Sequence, residues 1–211
     1  KCLSIIAGDN PAMLPDAGDP DEIRKRLLAL LRQNKRVMVL DNVTGLLDSS
    51  ALCAMLTAET YSDRVLGVTE TITVPTRTLL LVTGNNITIA GDLCRRILIC
   101  RIDPEVESPW KRSFSLDPAE YCNEHRLDMV AAGLTVIRAG IQSGPEMPDR
   151  TASFEVWSDT VRRAVCLVSN YQVLDVTDPV ESIDVAYGAD PETGKLGALL
   201  DAWWDIWKDA P

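Results

Sequence analysis

Asp41 closes a run of four apolar residues, Val37 to Leu40, and is followed by Asn42 and the turn-prone Thr44-Gly45. A carboxylate at the end of a buried strand can hold a magnesium ion, usually through waters, beside a nucleotide triphosphate; its other use is to cap the turn or helix that follows. A second apolar run, TLLLV at 78–82, leads into Thr83, Gly84, Asn85 and Asn86. An Asn there can orient a water or bond a γ-phosphate without adding charge, although Gly-Asn-Asn also turns readily. Then GDLCRRILICRID sets Arg95 and Arg96 before a third apolar run. A guanidinium so placed can neutralise charge developing on a transferring phosphoryl group, or simply form a surface ion pair.

These side chains need a sheet to bring them together. The runs 37–40, 78–82 and 97–102 do not alternate with polar residues, as expected of parallel strands covered on both faces. Helical segments are expected between them, at 46–58 and, shorter, at 90–95. Ahead of them DPDEIRKRLLALLRQ, 19–33, carries Ile23, Leu27, Leu30 and Leu31 on one helical face. Asp19 is its expected cap, Pro20 suits the first helical position and Glu22 closes the capping box. The same Asp-Pro-x-Glu signature recurs at Asp117 and Asp178, where it predicts two more helix starts. DRVLGVTETITVP, 63–75, has a β composition and predicts a hairpin or extended excursion before the 78–82 strand. Beyond 104 the apolar spacing is helical: Leu127, Val130, Ala131, Leu134, Ile137 and Ile141 share a face, SFEVWSDTVRRAVCLVSN and KLGALLDAWWDIW follow, and IQSGPEMPDR is the expected linker. The predicted architecture is α/β, a parallel-sheet core over 1–103 and a mostly helical region over 104–211.

Composition narrows the classes of function. No apolar run approaches the roughly 20 residues that span a bilayer, so no membrane association is expected. The six cysteines form no CxxC pair and sit mostly among apolar neighbours, which points to a reducing cytoplasm. A formal net charge of -10 disfavours a broad electrostatic footprint on nucleic acid but leaves room for a local basic loop.

Read in order, VMVLDN, a helix, YSDRVLG, TITVPTRTLLLVTGNN and GDLCRRILICRID resemble the Walker B, pre-sensor insertion, sensor 1 and arginine-finger succession of AAA+ ATPases. More narrowly, VPTRTLLLVTGNN followed by Arg95-Arg96 is similar to the superfamily 3 helicase module of phage, plasmid and poxvirus-type primase-helicases. The likeness covers residues 1 to about 103, and FEVWSDTVRRAV is similar to the helical part of the phage and prophage members.

The resemblance implies an AAA+ P-loop-type core that uses ATP and Mg2+ to move along single-stranded DNA as a homo-oligomeric ring, in DNA replication. Asp41 would hold the magnesium, Asn85 or Asn86 would be the sensor, and Arg95 or Arg96 would reach a neighbouring subunit's phosphate. A Walker A loop should precede Lys1, with KCLSIIAG as the far end of its helix. GK[ST] is absent from all 211 residues, so the chain reads as a fragment not competent for hydrolysis. Asn42 stands where many AAA+ proteins carry the Glu that activates water; Glu59 or Asp48 would have to serve, or hydrolysis is slow or absent. The 63–75 insertion would face single-stranded DNA, with Arg64 and Arg77 as cations and Tyr61 as a stacking ring. The alternative is a degenerate AAA+-like scaffold without catalysis. Trp203, Trp204 and Trp207 with Leu199, Leu200 and Ile206 are expected to pack on their own domain, and His125 to be structural.

Overall fold

The computed structural model describes residues 1–15, 20–65, 67, 69–108, 111–171 and 176–208. Helix α1 (Cys2–Ala7) ends at Gly8, whose left-handed φ of 77° turns the chain toward a short strand, β1 (Ala12–Pro15). Helix α2 (Pro20–Leu31) buries Ile23, Leu27, Leu28 and Leu31 and leaves its charged face outside, as the spacing requires. Asp19, its expected cap, lies outside the described residues.

Strand β2 (Val37–Leu47) is followed by α3 (Ser50–Thr57), which starts where the Ser49 hydroxyl accepts the Leu52 N–H. The expected excursion is an antiparallel ribbon, β3 (Thr60–Arg64) paired with β4 (Thr71–Pro75), and β5 (Leu79–Ile89) follows. β1, β2 and β5 form a parallel sheet with β2 in the centre, so the fold is α/β. Leu14, Leu27, Met38, Leu40 and Leu52 meet between this sheet and α2 and α3 in the main core.

The sheet differs from expectation in two places. Its third strand is β1, whose four residues AMLP are too few to show a pattern. The run 97–102 is instead irregular chain after a 3-10 turn (Gly91–Leu93). Ile97 and Ile99 pack against the core, whereas Leu98 and Ile102 face out. An apolar run guarantees burial of some side chains, but not a partner for its backbone. The helix expected over 46–58 likewise begins only at Ser50, because β2 continues through Leu47. Between 90 and 95 the chain makes only the 3-10 turn.

The C-terminal region is helical. Asp117 caps α4 (Pro118–Glu124) by accepting the Ala119 and Glu120 N–H groups at 2.7 and 3.2 Å. Helix α5 (Arg126–Ser143) lies against a helical stretch made of α6 (Glu155–Trp157), a π turn (Ser158–Arg162) and α7 (Arg163–Asn170). They approach so closely that a Cβ on Gly140 would stand 2.6 Å from the Ala164 Cα. Buried Arg162 ties the π turn to Asp178, at 2.8 Å from Nε and 2.7 Å from Nη2, just ahead of α8 (Val180–Gly188). The Asp178 carboxylate also accepts the Val180 N–H at 3.1 Å, which starts α8 as the sequence predicts.

This region meets the sheet layer where α1 packs against α4 and α5, where Arg126 Nε donates to the Ile5 carbonyl at 2.9 Å, and where Ala186 of α8 enters the main core. Helix α9 (Pro191–Trp207) corrects another expectation. Leu199, Leu200, Trp203, Trp204, Ile206 and Trp207 are all more than half exposed instead of packed on their domain. Among the described residues no helix is long and apolar enough to cross a membrane.

Candidate functional site

Asp41 does not end its strand. Leu40 pairs with Val82 and Val43 with Gly84, so Asp41 and Asn42 together face the single residue Thr83 across a β-bulge. Asn42 takes a left-handed φ of 60°, which Asn tolerates better than most residues. The Thr83 hydroxyl sits inside the bulge, donating to Asp41 Oδ1 and accepting the Asn42 N–H at 3.3 Å. One turn of pairing later the irregularity reverses. Thr44 pairs with Asn85 and Leu46 with Thr88, so Asn86 and Ile87 face Gly45, with Asn86 at φ 55° and Gly45 at φ 78°. The two bulges restore the register between them.

Close approach of the two strands fixes this path. Gly84 lies so close to β2 that a Cβ there would be 2.0 Å from the Val43 carbonyl oxygen, so only glycine fits. Gly-Asn-Asn therefore does not turn the chain, and β5 continues to Ile89. Asp41, Asn42 and the stretch Thr83 to Asn86 are all exposed, in contrast to Val37 to Leu40, which are buried on both faces of the sheet. The bulges thus convert a buried parallel ladder into an exposed patch carrying one carboxylate, one hydroxyl and three side-chain amides. Thr83 is the member that sequence reading passed over. Its signal was a β-branched hydroxyl residue beside a glycine that allows close approach.

The arginines lie elsewhere. β2 runs six residues past Asp41 to Leu47, on the order of 20 Å of extended chain, before the segment that neighbours them. Asp92, in the 3-10 turn, accepts hydrogen bonds from both Arg95 Nε and Arg96 Nη2. Arg95 first and Arg96 second hold the Asp92 carboxyl down to about 2. The Arg96 side chain is only 7% exposed, so it points inward and not toward a neighbouring subunit, whereas Arg95 is 38% exposed. Arg96 lines a cavity of about 380 Å³ with Asp48, Cys53, Thr57 and Asp92, and burial pushes the Cys53 thiol up against the opposing pull of Arg96.

The expected single-strand contacts also separate. Tyr61 is 8% exposed within the core, its hydroxyl 3.4 Å from Asp63, so it offers no ring for a base to stack on. Arg64 pairs with Thr71 at one end of the β3–β4 ribbon, while Arg77 lies beyond Pro75 at the other. His125 stacks on Tyr121 at 4.3 Å between α4 and α5, a structural position. Among the described residues no cluster of three or more His, Cys, Asp or Glu could hold a metal ion. Comparison with protein-family models, with curated proteins and with solved structures finds no match.

Proposed function

We propose that the chain is the ATPase module of a phage-type primase-helicase of superfamily 3, an AAA+ P-loop-type core that drives movement along single-stranded DNA as a homo-oligomeric ring in the cytoplasm. The observation that carries this reading is the pair of bulges on adjacent parallel strands, which exposes Asp41 beside Thr83 and within two pairing steps of Asn85. Ligands of parallel α/β sheets gather at the carboxyl ends of the strands, and here the continuously buried part of β2 ends at Leu40, just before a bulge of the kind that commonly re-aims side chains at functional sites. The site would suit a hard cation held mostly by water: Asp41 would supply a carboxylate oxygen while the Thr83 hydroxyl stays engaged with Asp41 and the Asn42 N–H, and one carboxylate is enough where magnesium keeps most of its waters. When bound, Mg2+ with ATP would supply charge neutralisation at the phosphates.

In this reading Asp41 anchors the ion, Thr83 orients the Asp41 carboxylate, and Asn85 or Asn86 donates to a terminal phosphate. Asn42 has no proton-accepting group, so activation of water falls to another carboxylate, Glu59 or Asp48. Of the two arginines, Arg95 is the one exposed enough to reach another subunit, and it would have to leave Asp92 to do so. The six free cysteines suit a reducing compartment.

A degenerate AAA+-like scaffold is the second reading, favoured by Asn42 and by the exposed tryptophans of α9. Nucleotide titration of the protein extended upstream of Lys1 separates them. An extension carrying GK[ST], with magnesium-dependent ATP binding weakened at least tenfold by D41A, supports the ATPase. Absence of that loop, or binding indifferent to D41A, favours the scaffold.

A further inference from the structure

The six cysteines differ in their surroundings. Cys53 neighbours Arg96, Cys94 donates to the Ile89 carbonyl at 3.6 Å, Cys166 lies beside Asp178, and Cys100 is exposed on irregular chain. Cys2 and Cys122 stand apart from these, because the thiol of one faces the thiol of the other.

A helix seam brings them together. Cys2 opens α1, Cys122 sits within α4, and α1 packs on α4 and on the start of α5. Contacts at both ends of the seam show that the helices run in the same direction. At the near end the Lys1 charge acts on Asp117, the α4 cap. At the far end Arg126 Nε donates to the Ile5 carbonyl at 2.9 Å, and Arg126 Nη2 lies where a Cβ on Gly8 would stand 2.4 Å from it. Cys122 precedes Arg126, and Cys2 precedes Ile5, by about one helical turn each, so the register of the seam itself sets the cysteines opposite each other. Their exposure is unequal. Cys122 is 6% exposed, and burial first, then the Cys2 thiol, pushes its thiol up. Cys2 is half-buried and open to a small reagent.

We propose that Cys2 and Cys122 form a reversible disulfide that fastens α1 to the helical region under oxidising conditions, with a low-molecular-weight disulfide such as oxidised glutathione as the oxidant. The Cys2 thiolate attacks one sulfur of the reagent and expels the other half as a thiolate. The Cys122 thiolate then attacks Cys2 Sγ and expels the second half. One S–S bond forms in the protein and one breaks in the reagent, which takes up two electrons and, as two thiols, the two cysteine protons. Because the second attack is internal, Cys122 need not meet the reagent. Disulfides of this transient kind are the ones a reducing compartment tolerates. The bond closes a loop from residue 2 to residue 122, and a cross-link over so long a loop restrains the unfolded chain. The disulfide is independent of the ATPase reading, and its test uses no nucleotide.

The test is incubation of the full chain with oxidised glutathione, quenching in acid, blocking of remaining thiols with N-ethylmaleimide and peptide mapping by mass spectrometry. The main cross-linked product should join the Cys2 and Cys122 peptides, and dithiothreitol should remove it. In C122S the reaction should stop at glutathione on Cys2. In C2S, Cys122 should stay unmodified. The oxidised parent should melt at least about 4 °C above the reduced parent, a difference that C122S lacks. Glutathione that stays on Cys2 of the parent overturns the proposal, as does preferential pairing of either residue with Cys100 or Cys166. The same pairing in urea-unfolded chain also overturns it, since the fold would not be what selects the pair. Equal melting of the oxidised and reduced parent overturns the fastening of α1.

Discussion

Asp63 and Arg24 form the contact whose pH dependence is most direct. Arg24 holds the Asp63 carboxyl down to about 2, below its ordinary 3.8, by donating two hydrogen bonds to it. An unfolded carboxyl takes up its proton near 3.8, so between that pH and about 2 the unfolded chain binds more protons than the folded one. The contribution to stability is fully present above pH 4 or so and fades as pH falls toward 2. Urea midpoints measured across this range should show a D63N variant with a shallower acid slope than the parent. Cysteine reactivity is a second expectation at this scale. Burial pushes the Cys53 and Cys94 thiols up, while Cys100 is exposed on the irregular segment after the 3-10 turn. Timed iodoacetamide labelling read by mass spectrometry should modify Cys100 well before Cys53 or Cys94.

Among the elements, α5 and α7 are held by a close approach that only glycine allows. A methyl at Gly140 would stand 2.6 Å from Ala164 Cα and 2.9 Å from its nitrogen, and backbone cannot yield as a side chain can. G140A should therefore cost about 1–3 kcal/mol in chemical denaturation even though Ala favours helix. Helix α9 presents the opposite case. Trp203 is 55% exposed and Leu27 fully buried. W203A should change stability by no more than about 0.5 kcal/mol, whereas L27A should cost about 2–5 kcal/mol. A large loss in W203A would mean that α9 is covered in solution.

For the whole molecule, the parallel sheet has three strands, and the helical region meets its layer through the packing of α4 and α5 on α1, with the bond from Arg126, and through Ala186 in the core. Both belong to folding of the full chain, because each joins residues far apart in sequence. The two polar groups of the candidate site are likewise distributed, the carboxylate and amides on the bulged strands and the arginines beyond the sheet's carboxyl end.

The sequence by itself determined the elements whose periodicity exceeds one turn of chain: α2, α5 and α9, the apolar cores of β2 and β5, and the cap at Asp117. Each follows from a local rule, a spacing of apolar residues or an orphan N–H next to a carboxylate. It also picked out Asp41, Asn42, Asn85 and Asn86 as polar residues abutting buried strands. Tertiary structure decided the rest. Whether Asp41 ends a strand or sits in a bulge depends on Thr83 and Gly84, more than forty residues away in sequence. Whether 97–102 is a strand depends on whether a neighbouring backbone is free to pair with it. Arg96 turns inward because Asp92 and the cavity beside Cys53 receive it, and Tyr61 is buried because the ribbon folds back on α2. Such outcomes are set by pairing and burial between distant segments, which no local pattern of residues encodes.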